Sequence, residues 1–271
     1  MTGSDFVDSA KDVARDTNDH PVVTAAARIG YAANGLIHLL IAWAALGIAW
    51  APLAHGTADQ SGALGGLAAQ PWGRPLLWVL VAGLFGLGLW QLTEAVGGWH
   101  GSGREAVFSR LKAIGKAIAY AALGGTALTF ARGGQSDSRS QSTDITATLL
   151  GSPGGRILVA VVGLATLGIG VYHVIKGWQK KFLRDLVADP GEVAEQAGRF
   201  GYIAKGIALA VAGLLFLTAA LRSRPDEATG LDGALRALAD TPYGFALLTI
   251  VALGLAAYGI YSIFRARYTK L

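Results

Sequence analysis

A proline-led apolar run, PWGRPLLWVLVAGLFGLGLWQLTE from Pro71 to Glu94, is long enough to cross a bilayer. It occurs three times. The first copy ends in the stripe Gly86, Trp90, Glu94; the second begins at Pro153 and ends in Gly168, Tyr172, Lys176; the third begins at Pro242 and ends in Ala257, Tyr261, Arg265. A shift of 82 residues brings Arg28 onto Arg110 and Pro71 onto Pro153, and a further 89 brings them onto Arg199 and Pro242. The distance from arginine to proline is 43 residues in all three copies. Apolar composition produces chance matches between helices, but not a constant frame linking polar landmarks across a variable loop. The chain is therefore a triplication of a two-helix unit, 28–96, 110–178 and 199–267, preceded by a polar segment, 1–27.

Composition excludes a soluble reading of these helices. Apolar residues make up 52% of the chain, charged residues only 15%, and the mean hydropathy is +0.44. That is too little charge to cover the surface of a soluble fold of this length. The 38 glycines fit helices that approach closely in lipid. With no cysteine, disulfides and thiolate metal sites are excluded. Residues 1–27 carry acidic groups and no apolar core, so they do not read as a signal peptide. The first span, Arg28–Leu53, is expected to direct insertion. Phe6, Ala10 and Val13 mark at most a weak amphipathic turn in that segment.

The expected fold is an all-α membrane protein of six transmembrane helices. Its three parallel repeats would be related by a pseudo-threefold axis along the membrane normal. In the loop before each even span, Ser61, Thr143 and Asp232 fall at one repeat position and are read as helix N-caps. Behind them Leu64 and Leu67, Ile145 and Leu149, and Leu235 and Leu238 keep helical spacing, which predicts a short amphipathic helix on the extracytoplasmic face. With the N-terminus inside, the cytoplasmic group of segments holds 16 basic residues against 7 on the other side, so both termini are expected in the cytoplasm. Trp72, Trp99 and Trp178 fit interfacial anchors.

The motif R-x-G-Y-x-x-[NK]-G-[LI], at Arg28–Leu36 and Arg199–Ile207, and the proline-led even helix ending in [WY]-x-x-x-[EKR] resemble the three-copy bacterial membrane family catalogued as domain of unknown function 1206. The resemblance covers about residues 28–267. The middle copy departs from it, with Lys112 and Ala113 where the others have Gly and Tyr. The resemblance implies a bacterial inner-membrane setting and no activity.

Ionisable groups within a span are costly and mark interior faces or cavities. Asn34, Lys116 and Lys205 occupy one odd-helix position, His38 lies one turn on from Asn34, and Glu94, Lys176 and Arg265 share an even-helix position. Gln91 and His173 share another with Ser262. Stacked by repeat, these would form rings near the cytoplasmic mouth. Lys116, Lys205, Lys176, Arg265, Arg110 and Arg199 are the candidate anion- or lipid-binding residues. Glu94, Asn34, Gln91, His173 and His38 are the candidate charge network or gate. Snorkelling accounts for the lysines as well, because Lys116 and Lys205 lie only about 9 Å inside their flanking arginines at ~1.5 Å per residue. His38 and His173 sit on different repeat positions, which argues against a metal pair and for satisfied interhelical hydrogen bonds. The chain lacks H-E-x-x-H, G-x-S-x-G and CxxC, so no enzyme, cofactor or metal is expected. The leading function is a small anion- or lipid-binding membrane module, a transporter or channel among its forms. The alternative is a structural or partner-binding subunit whose basic rings only anchor it. Anionic lipid headgroups or a small anionic solute are the expected partners, and nucleic acid is not.

Overall fold

The computed structural model describes residues 21–50, 57–97 and 104–269. The turn expected around Phe6, Ala10 and Val13 lies outside them, as does Trp99. The described residues form helices α1 (Pro21–Trp50), α2 (Gln60–Ala68), α3 (Gly73–Gly97), α4 (Arg104–Ala131), α5 (Ser138–Leu150), α6 (Pro153–Trp178), α7 (Glu192–Arg222), α8 (Gly230–Ala239) and α9 (Gly244–Tyr268). Six of them, α1, α3, α4, α6, α7 and α9, are long and apolar enough to cross a membrane. Their outward faces are apolar too: Trp43, Trp78, Leu164, Ile250 and Leu253 are all exposed. A belt of that kind is rarely left facing water. Trp72 and Trp178 are exposed near span ends, as expected of interfacial anchors.

Two boundaries differ from expectation. The first helix begins at Pro21 rather than Arg28, because PVVTAAA, with proline at the first turn and a run of alanines, continues the helix. Among the even spans proline opens only α6, at Pro153, where Ser152 caps the helix by accepting from Gly155 N–H at 3.1 Å. Pro71 and Pro242 stand in the turn before α3 and α9, which begin at Gly73 and Gly244. Glycine is required at these corners. A Cβ on Gly73 would lie 1.7 Å from the Leu67 carbonyl oxygen, one on Gly155 2.0 Å from that of Leu149, and one on Gly244 1.7 Å from that of Ala239.

The spans pack in the order α4–α3–α1–α9–α7–α6. Each even helix lies against the odd helix of the following repeat, and α9 returns to α1. These joints use one pair of positions. An added Cβ on Gly170 would come within 2.7 Å of Gly206 O, one on Gly259 within 2.8 Å of Gly35 O, and one on Gly88 only within 3.6 Å of Ala117 O. Small residues let backbones approach and gain dispersion contacts that lipid cannot replace. Within a repeat, α1 meets α3 through Gly30 and Gly83, and α7 meets α9 through Gly201 against the Tyr258 backbone and Gly254 against Ala204.

The middle repeat carries Lys112 and Ala165 at those positions, and α4 and α6 barely meet. Lys112, Ala165 and Gly168 are exposed, and space is open around Gly115 and Gly168. The bundle is thus an arc with one side opening.

At one end the short helices α2, α5 and α8 form a collar. Leu64, Leu67, Leu235 and Leu238 are buried in the main core, as their spacing predicts. Ile145 of the middle repeat is exposed, and Thr146 is buried instead. The expected caps are displaced. Asp59 caps α2 and Asp137 caps α5 from the preceding loops, and α8 has no side-chain cap. Ser61, Thr143 and Asp232 lie inside the helices, Ser61 and Asp232 in the first turn and Thr143 in the second. Ser61 Oγ accepts from Ser138 N–H at 3.0 Å, and Ser142 Oγ, beside Thr143, donates to the Ala228 carbonyl at 2.7 Å. Asp232, fully buried, accepts from Ala58 N–H at 2.8 Å, Arg236 Nε at 3.0 Å and Arg139 Nη1 at 3.2 Å. One carboxylate thus ties all three repeats together.

Candidate functional site

The opposite end of the bundle is polar, and a cavity of about 550 Å³ opens there between α4, α6 and α7. Asn34 and His38 from α1 and Tyr258 and Arg265 from α9 line it as well, and it reaches Gln60 and Leu231 at the start of the collar helices α2 and α8. Seven basic side chains line it against one carboxylate, Asp185. A second groove, about 980 Å³ beside the collar, is larger but has only Arg74 and Asp137 as charged lining residues, so no charge is concentrated in it.

Asp185 ends the 3-10 turn Lys181–Asp185, which is anchored by Phe182, a fully buried ring among Tyr202 and Tyr261. Glycine at 198 makes room for it, since a Cβ there would lie 2.5 Å from the Phe182 ring. The segment is tied to the end of α9 by the Leu186–Thr269 bridge and by Val187 N–H donating to Tyr268 O at 2.8 Å. So held, the Asp185 carboxylate accepts from Lys176 Nζ at 2.6 Å and lies 3.6 Å from Arg265 Nη2. Burial by itself raises its carboxyl, but Arg265 and then Lys176 outweigh burial and hold it below the usual range. Arg265 also lies over the Tyr31 ring at 4.6 Å and donates to Tyr202 Oη at 3.4 Å. Lys176 and Arg265 are therefore engaged in structure.

Lys112 and Lys205 are different: among the described residues neither makes an ion pair. Lys205 Nζ lies 4.1 Å from the Tyr258 ring centre, and Lys112 Nζ lies 5.4 Å from that of Tyr172 across the α4–α6 opening. Such contacts contribute about 0.5–2 kcal/mol and leave N–H donors open to an anion. Lys116 faces the same cavity and feels the charge of Glu94 on α3. His38 and His173 line the cavity too. Each Nδ1–H donates to a carbonyl one turn back on its own helix, Asn34 O and Ile169 O, both at 2.8 Å. Their hydrogen bonds are intrahelical rather than interhelical, because an Nδ1–H on a helix reaches the i−4 carbonyl without a partner helix. No group of three metal-ligating side chains forms among the described residues.

The sequence-predicted residues thus divide. Asn34, Lys116 and Lys205, one repeat position, line one cavity, joined by Lys176, Arg265, His38 and His173. Glu94 is half-buried and Gln91 buried, both away from the lining. Arg110 is exposed outside the cavity, and Arg199, also outside it, lies 5.5 Å from the Trp178 ring centre. Sequence reasoning misses Asp185, and it marks Lys112 as a departure of the middle copy without placing it among the candidate binding residues. Asp185 lies in a loop outside the repeat frame. Lys112 was visible as the residue that replaces a packing glycine.

A family model described as Domain of Unknown Function (DUF1206) matches the chain three times, at residues 29–98, 111–180 and 200–269. An uncharacterized protein of Bacillus subtilis (strain 168), YxxB, is 30% identical over 251 residues, covering 90% of each chain. No solved structure matches.

Proposed function

The chain belongs to this family of three-repeat proteins, and we propose that its basic cavity binds an anionic group, a small solute or a lipid headgroup, without catalysing a reaction. One observation carries this: Lys112 and Lys205 line a cavity without a carboxylate partner among the described residues, while the structural task of holding the basic end together falls to Lys176, Arg265 and Asp185. Lysines that only anchored the bundle would snorkel to headgroups from its outer face. Lys205 lies over a buried tyrosine in the cavity wall instead. The volume falls within the roughly 300–1,000 Å³ of small-molecule sites, and an anion there would accept charge-assisted hydrogen bonds.

Binding fits the geometry better than free conduction. At the collar the cavity is lined by Gln60 and Leu231, first-turn residues of α2 and α8, whose leucines are buried in the main core. Transport would require the collar to part. The 16-to-7 distribution of Lys and Arg supports a cytoplasmic basic end, and the family resemblance supports an inner-membrane setting.

The test is equilibrium dialysis of the detergent-purified chain with radiolabelled inorganic phosphate and sn-glycerol 1-phosphate. Wild type should bind at least one of them, and Lys116→Ala/Lys205→Ala should bind it at least about tenfold more weakly. Equal retention by the double variant removes the lysines from the function.

A further inference from the structure

The cavity is entered from the side. In the first and third repeats the odd and even helices close on each other through Gly30 with Gly83 and Gly201 with Tyr258. In the middle repeat a lysine at 112 and an alanine at 165 hold α4 and α6 apart, and the cavity opens between them toward the apolar belt. Around that opening the outer surface is hydrocarbon, with Ile118, Val162 and Ile169 exposed. Its inner wall carries Lys112, Lys116 and Lys205. An apolar slot leading to a cluster of cavity-lining cations has the profile of an anionic amphiphile, with a headgroup for the lysines and chains for the slot.

Resting on the anion-binding reading above, we propose that the ligand is a membrane lipid with a phosphate headgroup, seated through the α4–α6 opening. Its phosphate lies among Lys112, Lys116 and Lys205, and its acyl chains leave between Ala165 and Gly168 on α6 and Gly115 on α4. Lys112, whose ammonium lies across the opening above Tyr172, turns from the ring to the phosphate when the lipid enters. A free soluble anion would reach the same lysines but would gain nothing from the slot. Juxtamembrane basic groups each attract anionic lipid by about 1 kcal/mol, so three converging lysines correspond to roughly a hundredfold preference over a zwitterionic lipid at most.

Native mass spectrometry of the full chain, delipidated in detergent and offered phosphatidylglycerol and phosphatidylcholine with identical acyl chains, tests this. Phosphatidylglycerol should be retained at least about tenfold over phosphatidylcholine, and an equal concentration of sn-glycerol 1-phosphate should not displace it. Ala165→Trp, which fills the slot and keeps every lysine, should lower phosphatidylglycerol retention about tenfold and leave dialysis binding of sn-glycerol 1-phosphate unchanged. Gly168→Trp, also in open space, should do the same and guards against misfolding of one variant. Equal retention of the two lipids, or undiminished phosphatidylglycerol retention in both tryptophan variants, overturns the lateral seat. The lysine-dependent anion site of the previous section would survive that result; it fails if the soluble anions do not bind, or if the double lysine variant retains them as wild type does.

Discussion

Asp185 joins the two basic even-helix residues that the repeat would otherwise leave repelling each other. Lys176 and Arg265 share a repeat position, and one carboxylate from outside the repeat frame neutralises part of both. Because its folded pKa is depressed, Asp185 stabilises the fold above the unfolded carboxylate range, about 4, and that stability is lost as pH falls through the lower folded value. Thermal melts followed by tryptophan fluorescence should therefore be flat above about pH 5 and fall steeply below it. Asp185→Asn should flatten the acid limb and cost roughly 1–3 kcal/mol near neutral pH, since it leaves a mostly buried guanidinium without its anion. An unchanged acid limb in the variant would assign the transition to another carboxylate. At the far end Asp232 plays the corresponding part, with two arginines and a backbone N–H on one fully buried carboxylate.

Glycine is required at some helix positions and not at others. At Gly73, Gly155 and Gly244 it allows the long helix to start against the carbonyl end of the short one, and a methyl group would overlap that oxygen. At Gly168 there is open space. Gly73→Ala should thus destabilise by about 1–3 kcal/mol or more through overpacking, whereas Gly168→Ala should be neutral or stabilise by up to about 1 kcal/mol through helix propensity. Melting temperatures of the two purified variants separate the cases, and equal shifts would contradict the packing at the corner. The Pro-x-Gly spelling of all three corners was present in the chain and was read only as proline. The function of the glycine depends on where the preceding short helix ends, which spacing does not reveal.

For the molecule as a whole, the six spans place the α6–α7 connection and the end of α9 at the basic end, and the α4–α5 connection at the collar. The chain has no cysteine, so single introduced thiols report sidedness cleanly. Gln179→Cys should react with a membrane-impermeant maleimide only in inverted vesicles, and Gln135→Cys only in right-side-out spheroplasts. The reverse pattern would invert the orientation drawn from charge. The repeat frame, the six spans, the short leucine-bearing helices and the small residues of the joints were legible because each is a periodic or spacing property of one chain. The middle copy's Lys112 was legible too, but only as a departure from pattern. What the tertiary structure decided is which departures matter. Where a lysine stands in place of a glycine, one helix contact among six is missing and a side path is open. A loop aspartate satisfies two cations from different repeats. Side chains at one repeat position separate: Lys176 and Arg265 line the cavity and Glu94 does not. Periodicity assigns residues to helices and faces, but the distance between two helices is set by the largest side chain between them, and that is settled only when all six are packed.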